Sequence, residues 1–227
     1  MNNKPVNSVL PVSLASKPQA SILTLPFVAS SIALNFVNTI DWRLDAQRRR
    51  DTLETYSDLL TFSLRLKCLS VDDYTRLLAL AQEAPVQAET ALASALAFRD
   101  QLAQLLDELD RRGMGLKTEG AFGQTLSAFE SARISAHRFE TLSWEGGHLS
   151  LAFDKFLEGL DYPWLLVVRD AENLLCSPLA AKIRVCAAEG CGWFFLDTSK
   201  NGTRRWCSMK LCGNREKAAR FKAKSSS

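Results

Sequence analysis

The stretch RRWCSMKLCGNR, Arg204 to Arg215, sets two cysteines five positions apart among three arginines, a lysine and a tryptophan, in a chain with only six cysteines. A matching pair lies upstream, so the spacing reads C-x4-C, fifteen residues, C-x4-C, over Cys186, Cys191, Cys207 and Cys212. Two such pairs can bring four thiolates around one Zn2+ in a tetrahedron, and four cysteines leave no open coordination position, which points to a structural ion. Disulfides and unligated buried thiols are the alternatives. No apolar run approaches the roughly 20 residues that cross a bilayer, and the N-terminal SVLPVSLAS is short and broken by Pro11. The expected compartment is therefore a reducing cytoplasm, where clustered cysteines hold a metal more often than they form disulfides. Cys68 and Cys176 lie in apolar helical contexts and read as core residues.

Between Ile183 and Phe221 the apolar side chains are few, and a segment of roughly 40 residues rarely buries enough area to fold unaided. Metal binding should therefore be coupled to folding there. The intervening GWFFLDTSKNGTRRW carries Asn201-Gly202, a turn signal that predicts a hairpin. After Cys212, Asn214 suits a helix cap, and a helix from Arg215 would gather Lys217, Arg220 and Lys224 on one face, with Ala218 and Phe221 directed to the other side to pack on the hairpin.

Charge follows the same division. From Lys182 to the end there are 11 Lys+Arg against 3 Asp+Glu, a net +8, whereas the other 181 residues hold 17 against 22, a net −5. A basic module on a mildly acidic body is the footprint of a tail that meets a polyanion.

Residues 1–25 read as a flexible leader, with Pro5, Pro11 and Pro18 among Asn, Ser and Gln. SSIALNFVNTIDW then predicts a helix, with Ile32, Ala33, Leu34, Phe36, Val37 and Ile40 on a wide apolar arc and Ser31, Asn35, Asn38 and Trp42 on a narrow polar one. A charged loop through Arg48, Arg49 and Arg50 leads to a helix from about Ser57. Ser70, with Asp72 and Asp73, caps another to about Ala84. Pro85 opens the longest periodic segment, which stops at Gly113, and a further helix fits Thr118 to about Arg133. RFETLSWEGGHLSLAFD alternates around Gly146-Gly147, a hairpin signal, and Pro163 starts a last apolar helix. The expected fold is α+β: a mostly helical domain over 26–180 with a small antiparallel sheet, then a zinc module over 181–227.

The finger residues also carry a resemblance. IRVCAAEGCGWFFLDTSKNGTRRWCSMKLCGNREKAARF resembles the CGNR zinc-finger family, with its C-G-W-x-F-x-D-x-S, R-R-W-C-S-M and C-G-N-R stretches in register. Upstream, ALNFVNTIDWR resembles the opening motif of the ABATE domain that accompanies this finger, and VVRDAENLLCSPLAAKIRVC its closing helix. The similarity runs from about residue 27 to 224, strongest in the finger and weakest between 44 and 160. It implies a bacterial stress-responsive transcription regulator whose sensor-like domain precedes a treble-clef-type finger, with Cys186, Cys191, Cys207 and Cys212 as the ligands of one structural Zn2+.

The expectation that follows is a DNA-binding regulator. Arg204, Arg205, Lys210, Lys217, Arg220 and Lys224 would contact phosphates, with Asn214 or Arg215 reading bases. One small finger buries little interface, so a homodimer reading two half-sites is expected. Asn35, Asn38, Trp42, Arg43 and Arg169 could line a pocket for a small anionic or aromatic effector; Asn38 and Arg169 equally suit backbone caps or a buried polar pair. A zinc-stabilised adaptor for RNA or an acidic protein is the competing class. His137 and His148 flank the predicted hairpin as surface residues, and no nucleophile elbow, Gly-rich phosphate loop, HExxH or carboxylate constellation points to an enzyme.

Overall fold

The computed structural model describes residues 21–113, 121–153 and 159–225. Its first helix, α1 (Ile32–Val37), is shorter than the periodicity predicts. Ser31 caps it, and Asp170 from a distant helix accepts both from the Ser31 hydroxyl at 2.7 Å and from the Ala33 amide at 2.8 Å. It ends at Asn38 because the β-branched pair that follows is captured elsewhere. The backbone N–H and hydroxyl of Thr52 both donate to the Thr39 carbonyl, and β1 (Ile40–Asp41) pairs antiparallel with β2 (Arg50–Asp51). The buried Arg99 locks this pair through two hydrogen bonds of 2.7 and 2.6 Å to Asp51 and one to Thr39. Trp42 then takes φ +52°, a left-handed backbone uncommon for a bulky residue, and turns the chain.

Three helices follow as expected. α2 (Tyr56–Arg65) opens on a Thr55/Asp58 capping box, α3 (Val71–Glu83) on Ser70, whose hydroxyl accepts the Asp73 amide at 3.0 Å, and α4 (Pro85–Gly113) on Pro85 itself. α5 (Ala121–His137) leads into β3 (Glu140–Glu145) and β4 (His148–Phe153), joined through Gly146 and Gly147, both at positive φ as a tight two-residue turn requires. A 3-10 turn at Gly159–Asp161 precedes α6 (Tyr162–Leu175) and another at Pro178–Lys182 follows it. The expected leader falls outside the described residues up to position 20, as does the predicted start of α5 near Thr118.

The finger opens with β5 (Ile183–Val185), which pairs antiparallel with β6 (Phe194–Leu196) across the first cysteine pair. The hairpin predicted around Asn201-Gly202 does not form. Its strand is already paired, and the Asp197 carboxylate closes the loop instead, accepting from the Ser199 and Arg204 amides at 3.0 Å each. A π-helical turn, Met209–Gly213, runs directly into α7 (Asn214–Ser225).

One apolar cluster joins body and finger. Phe36 and Phe62 meet at 5.4 Å between ring centroids, and Leu34, Leu59, Leu102 and Leu165 close around them. Ile183, Trp193, Phe194 and Phe195 of the finger belong to the same cluster, and each fully buried side chain of this size contributes about 1.5–3 kcal/mol. Cys68 packs against this core, where burial raises its thiol to about 11. Cys176, expected in the core, is exposed at the C-cap of α6 because the helix ends there and turns its last residue outward. The result is a mostly helical α+β chain with small antiparallel ribbons and a C-terminal cysteine cluster. Among the described residues no helix is long and apolar enough to cross a membrane.

Candidate metal centre and finger surface

Two backbone knuckles bring the cysteines together. In the first, the Cys186 amide donates to the Trp193 carbonyl at 2.8 Å and the Cys191 amide to the Ala188 carbonyl at 3.1 Å, folding the C-x4-C loop back on itself. In the second, Ser208 accepts from Leu211 at the start of the π-helical turn, and its carbonyl receives the Gly213 amide at 3.0 Å. The Ala187 amide donates to the Arg205 carbonyl, tying one knuckle to the other. A Cβ at Gly213 would displace the Met209 thioether and crowd the Trp206 ring.

The four Sγ atoms all lie within 4.8 Å of one another, and all four residues are buried. Cys207 Sγ stands 3.5 Å from Cys212 Sγ and 3.9 Å from Cys191 Sγ. A tetrahedral ion with Zn–S bonds of about 2.3 Å places its sulfurs about 3.8 Å apart, so these separations suit zinc. A disulfide needs about 2.05 Å and is excluded. The Cys207 amide donates to Cys186 Sγ at 3.3 Å and Arg215 to Cys212 Sγ at 3.6 Å, donors that temper the negative charge of four thiolates. Without a cation, neighbouring sulfurs and burial raise the Cys191 and Cys207 thiols, while hydrogen bonds from its neighbours lower Cys186. Metal binding therefore releases protons.

The residues expected to form an effector pocket serve different purposes. Asn38, 2% exposed, donates to the Phe194 carbonyl at 2.9 Å and accepts the Phe194 amide at 2.8 Å, so its side chain pairs with β6 as a peptide group would. Arg43 donates through Nε to the Gly192 carbonyl at 2.7 Å, through both terminal nitrogens to Asp107 on α4 at 2.7 and 2.9 Å, and stacks 4.4 Å from the Phe194 ring. Main-chain bonds from Arg43 to Cys191 and from Leu44 to Gly190 bring the body turn against the first knuckle. The approach is so close that a Cβ on Gly192, whose φ is +67°, would lie 2.5 Å from Leu44 Cγ. Trp42 is held between Arg48, at 3.8 Å, and Arg215, at 4.2 Å. Asn35 instead braces the turn before α1, binding Ala29 and Ser31, and Arg169 remains half-buried on α6. The structure thus gathers Asn38, Trp42 and Arg43 at the junction with the finger and leaves Asn35 and Arg169 apart. A cavity of about 180 Å3 beside Trp42 is lined also by Asp41, Trp193, Cys191, Cys212 and Arg215; burial raises the Asp41 carboxyl there.

The cationic residues divide as well. Arg204 is wrapped into the finger, donating to the Trp206, Leu196 and Cys207 carbonyls and stacking on Phe195 at 4.5 Å. Arg215 is engaged with Trp42, the Glu189 carbonyl and Cys212. Arg205, Lys210, Asn214, Lys217 and Arg220 are exposed, and the Lys224 side chain lies outside what the structure describes. Phe221, expected to pack on a hairpin, is 74% exposed and shares an open surface with Lys217 and Arg220. The reason is helical geometry: position 221 follows 217 by four residues and lies on its face.

Asp107, Trp193, whose indole donates to the Ile40 carbonyl at 3.0 Å, and Asp197 also hold this site; the sequence marks Trp193 and Asp197 only as positions of the C-G-W-x-F-x-D-x-S stretch, without a role. Asp107 carried no local signal, because its partner Arg43 lies 64 positions away. No curated protein matches the chain. Residues 182–225 match the CGNR zinc finger family, and the four clustered cysteines form that finger's zinc-binding site.

Proposed function

We propose that the chain is a DNA-binding regulator of transcription, presenting the exposed face of α7 to the phosphate backbone and acting as a homodimer. The observation that carries this reading is the face made by Lys217, Arg220 and Phe221. It is exposed, it has no carboxylate on the helix beyond Glu216, and Glu216 itself turns back to accept the Glu189 amide. Neither Lys217 nor Arg220 has an ion-pair partner among the described residues. Cations that the fold leaves unpaired on a helix anchored by a metal suit phosphate contacts, and an aromatic ring among them suits contact with sugar or base. Lys210 and Arg205 extend the surface, with Asn214 as the remaining exposed base reader.

In this reading the body is an ABATE-like domain that fixes the finger's orientation, and a stress-responsive role belongs to the same proposal. The test is selection of genomic fragments by the zinc-loaded protein in excess nonspecific DNA, beside a Cys207→Ser, Cys212→Ser variant. A discrete motif that disappears with the variant supports the reading. Fragments with no shared motif turn the surface over to RNA or an acidic protein.

A further inference from the structure

The ribbon of β3 and β4 is the one part of the described body whose apolar side chains face outward together. Its register sets Leu142 opposite Leu151 and Trp144 opposite Leu149, so all four occupy one face. They are 69%, 58%, 69% and 64% exposed, respectively. The other face is polar, with the Ser143 and Ser150 hydroxyls 2.9 Å apart. The two strands pack chiefly on each other, and a two-stranded ribbon with nothing on its apolar face is marginal in water. Its root is nevertheless held: His137 bridges Glu140 at 2.6 Å and Glu172 of α6 at 3.0 Å, while Arg133 adds a bond to Glu172.

We propose that this face is where two copies of the chain associate, ribbon face on ribbon face. A twofold contact needs a patch that matches itself, and a surface of one tryptophan and three leucines with no charge among them does so without opposing like charges. The area is adequate. Taking an aromatic side chain as roughly 200 Å2 and leucine as about half that, the exposed parts amount to about 300–400 Å2 on each copy, and flanking residues bring the pair toward the roughly 1,000 Å2 of a specific interface. The aromatic ring lies among aliphatic neighbours, the arrangement that concentrates binding energy in an interface.

This inference rests on the DNA-binding reading for its purpose, since two fingers on one dimer would read paired half-sites, but not for its test. The zinc-loaded full chain, free of nucleic acid, is followed by sedimentation from low to high micromolar concentration. The unaltered protein is expected to be a dimer. A Trp144→Glu, Leu149→Lys variant should associate at least about a hundredfold more weakly, as loss of a central anchor does, and Thr141→Lys on the opposite face should remain dimeric. Because the variant could unfold locally, amide exchange is measured on unaltered protein at both concentrations, with concentration-dependent protection expected in β3 and β4. A chain that stays monomeric throughout, a dimer that survives the double substitution in folded protein, or protection confined to other elements would overturn the proposal. A ribbon-dependent dimer that selects no DNA motif would remove the proposed function and leave this surface standing.

Discussion

The two sides of the finger are built on opposite terms. Its inner side offers Phe194 and Phe195, each 0% exposed, with paired polar groups around them: Asn38 with β6, Arg43 with Gly192 and Asp107, Trp193 with Ile40. Its outer side is α7, whose residues from Lys217 to Ala223 are exposed. Two arginines counted toward the basic footprint, Arg204 and Arg215, belong to the inner arrangement, where their planar guanidinium groups stack on rings and satisfy carbonyls. Net charge therefore overstates the surface available to a polyanion. What counts is the charge that the fold leaves unpaired.

The comparison makes inner positions responsible for stability and outer positions for binding. Replacing two ligands, Cys207→Ser with Cys212→Ser, should have the largest effect, because structural zinc contributes about 10–16 kcal/mol of apparent binding free energy to such modules; loss of zinc by metal analysis, with chelator mimicking it, is the expected result. Phe194→Ala should cost about 3–5 kcal/mol in denaturant unfolding, the range for a fully buried phenylalanine. Asn38→Ala strands the amide and carbonyl of Phe194 together, and at about 1–3 kcal/mol for each buried group should destabilise by about 2–6 kcal/mol. If it costs nothing, the Asn38 pairing does not hold the finger. Lys217→Ala with Arg220→Ala should change stability by less than about 0.5 kcal/mol. Each cation withdrawn from a phosphate should nonetheless lower the slope of log affinity against log salt by about one. An unfolding midpoint that falls with this last variant would show that the outer face is not independent of the inner one.

Local signals were read where neighbours in sequence are neighbours in space. Ser70 before Asp73 and Gly146-Gly147 between alternating strands each act within a few residues, and each element appears where expected; the stop expected at Gly113 falls at the edge of the described residues. The polar arc Asn35, Asn38 and Trp42 was legible as a cluster, but its use was not. Asn38 finds its partner 156 positions away, and Arg43 finds Asp107 64 positions away. Nothing in the intervening chain marks either pairing. Likewise Asn201-Gly202 is a sound turn signal, and a turn forms there, with Gly202 at φ +61°. The hairpin fails only because β5 already occupies the pairing edge of β6.

By itself, the sequence determined the zinc site, the helical character of the body and the charge of the final helix, since ligand spacing, apolar period and composition are properties of short segments. Only the tertiary structure decided which cations stay free, that the expected pocket residues Asn38 and Arg43 bind the finger instead, and that the β3–β4 ribbon faces outward. Those outcomes depend on which buried donors and acceptors must be satisfied when distant segments meet, a condition imposed by packing and desolvation that no local pattern encodes.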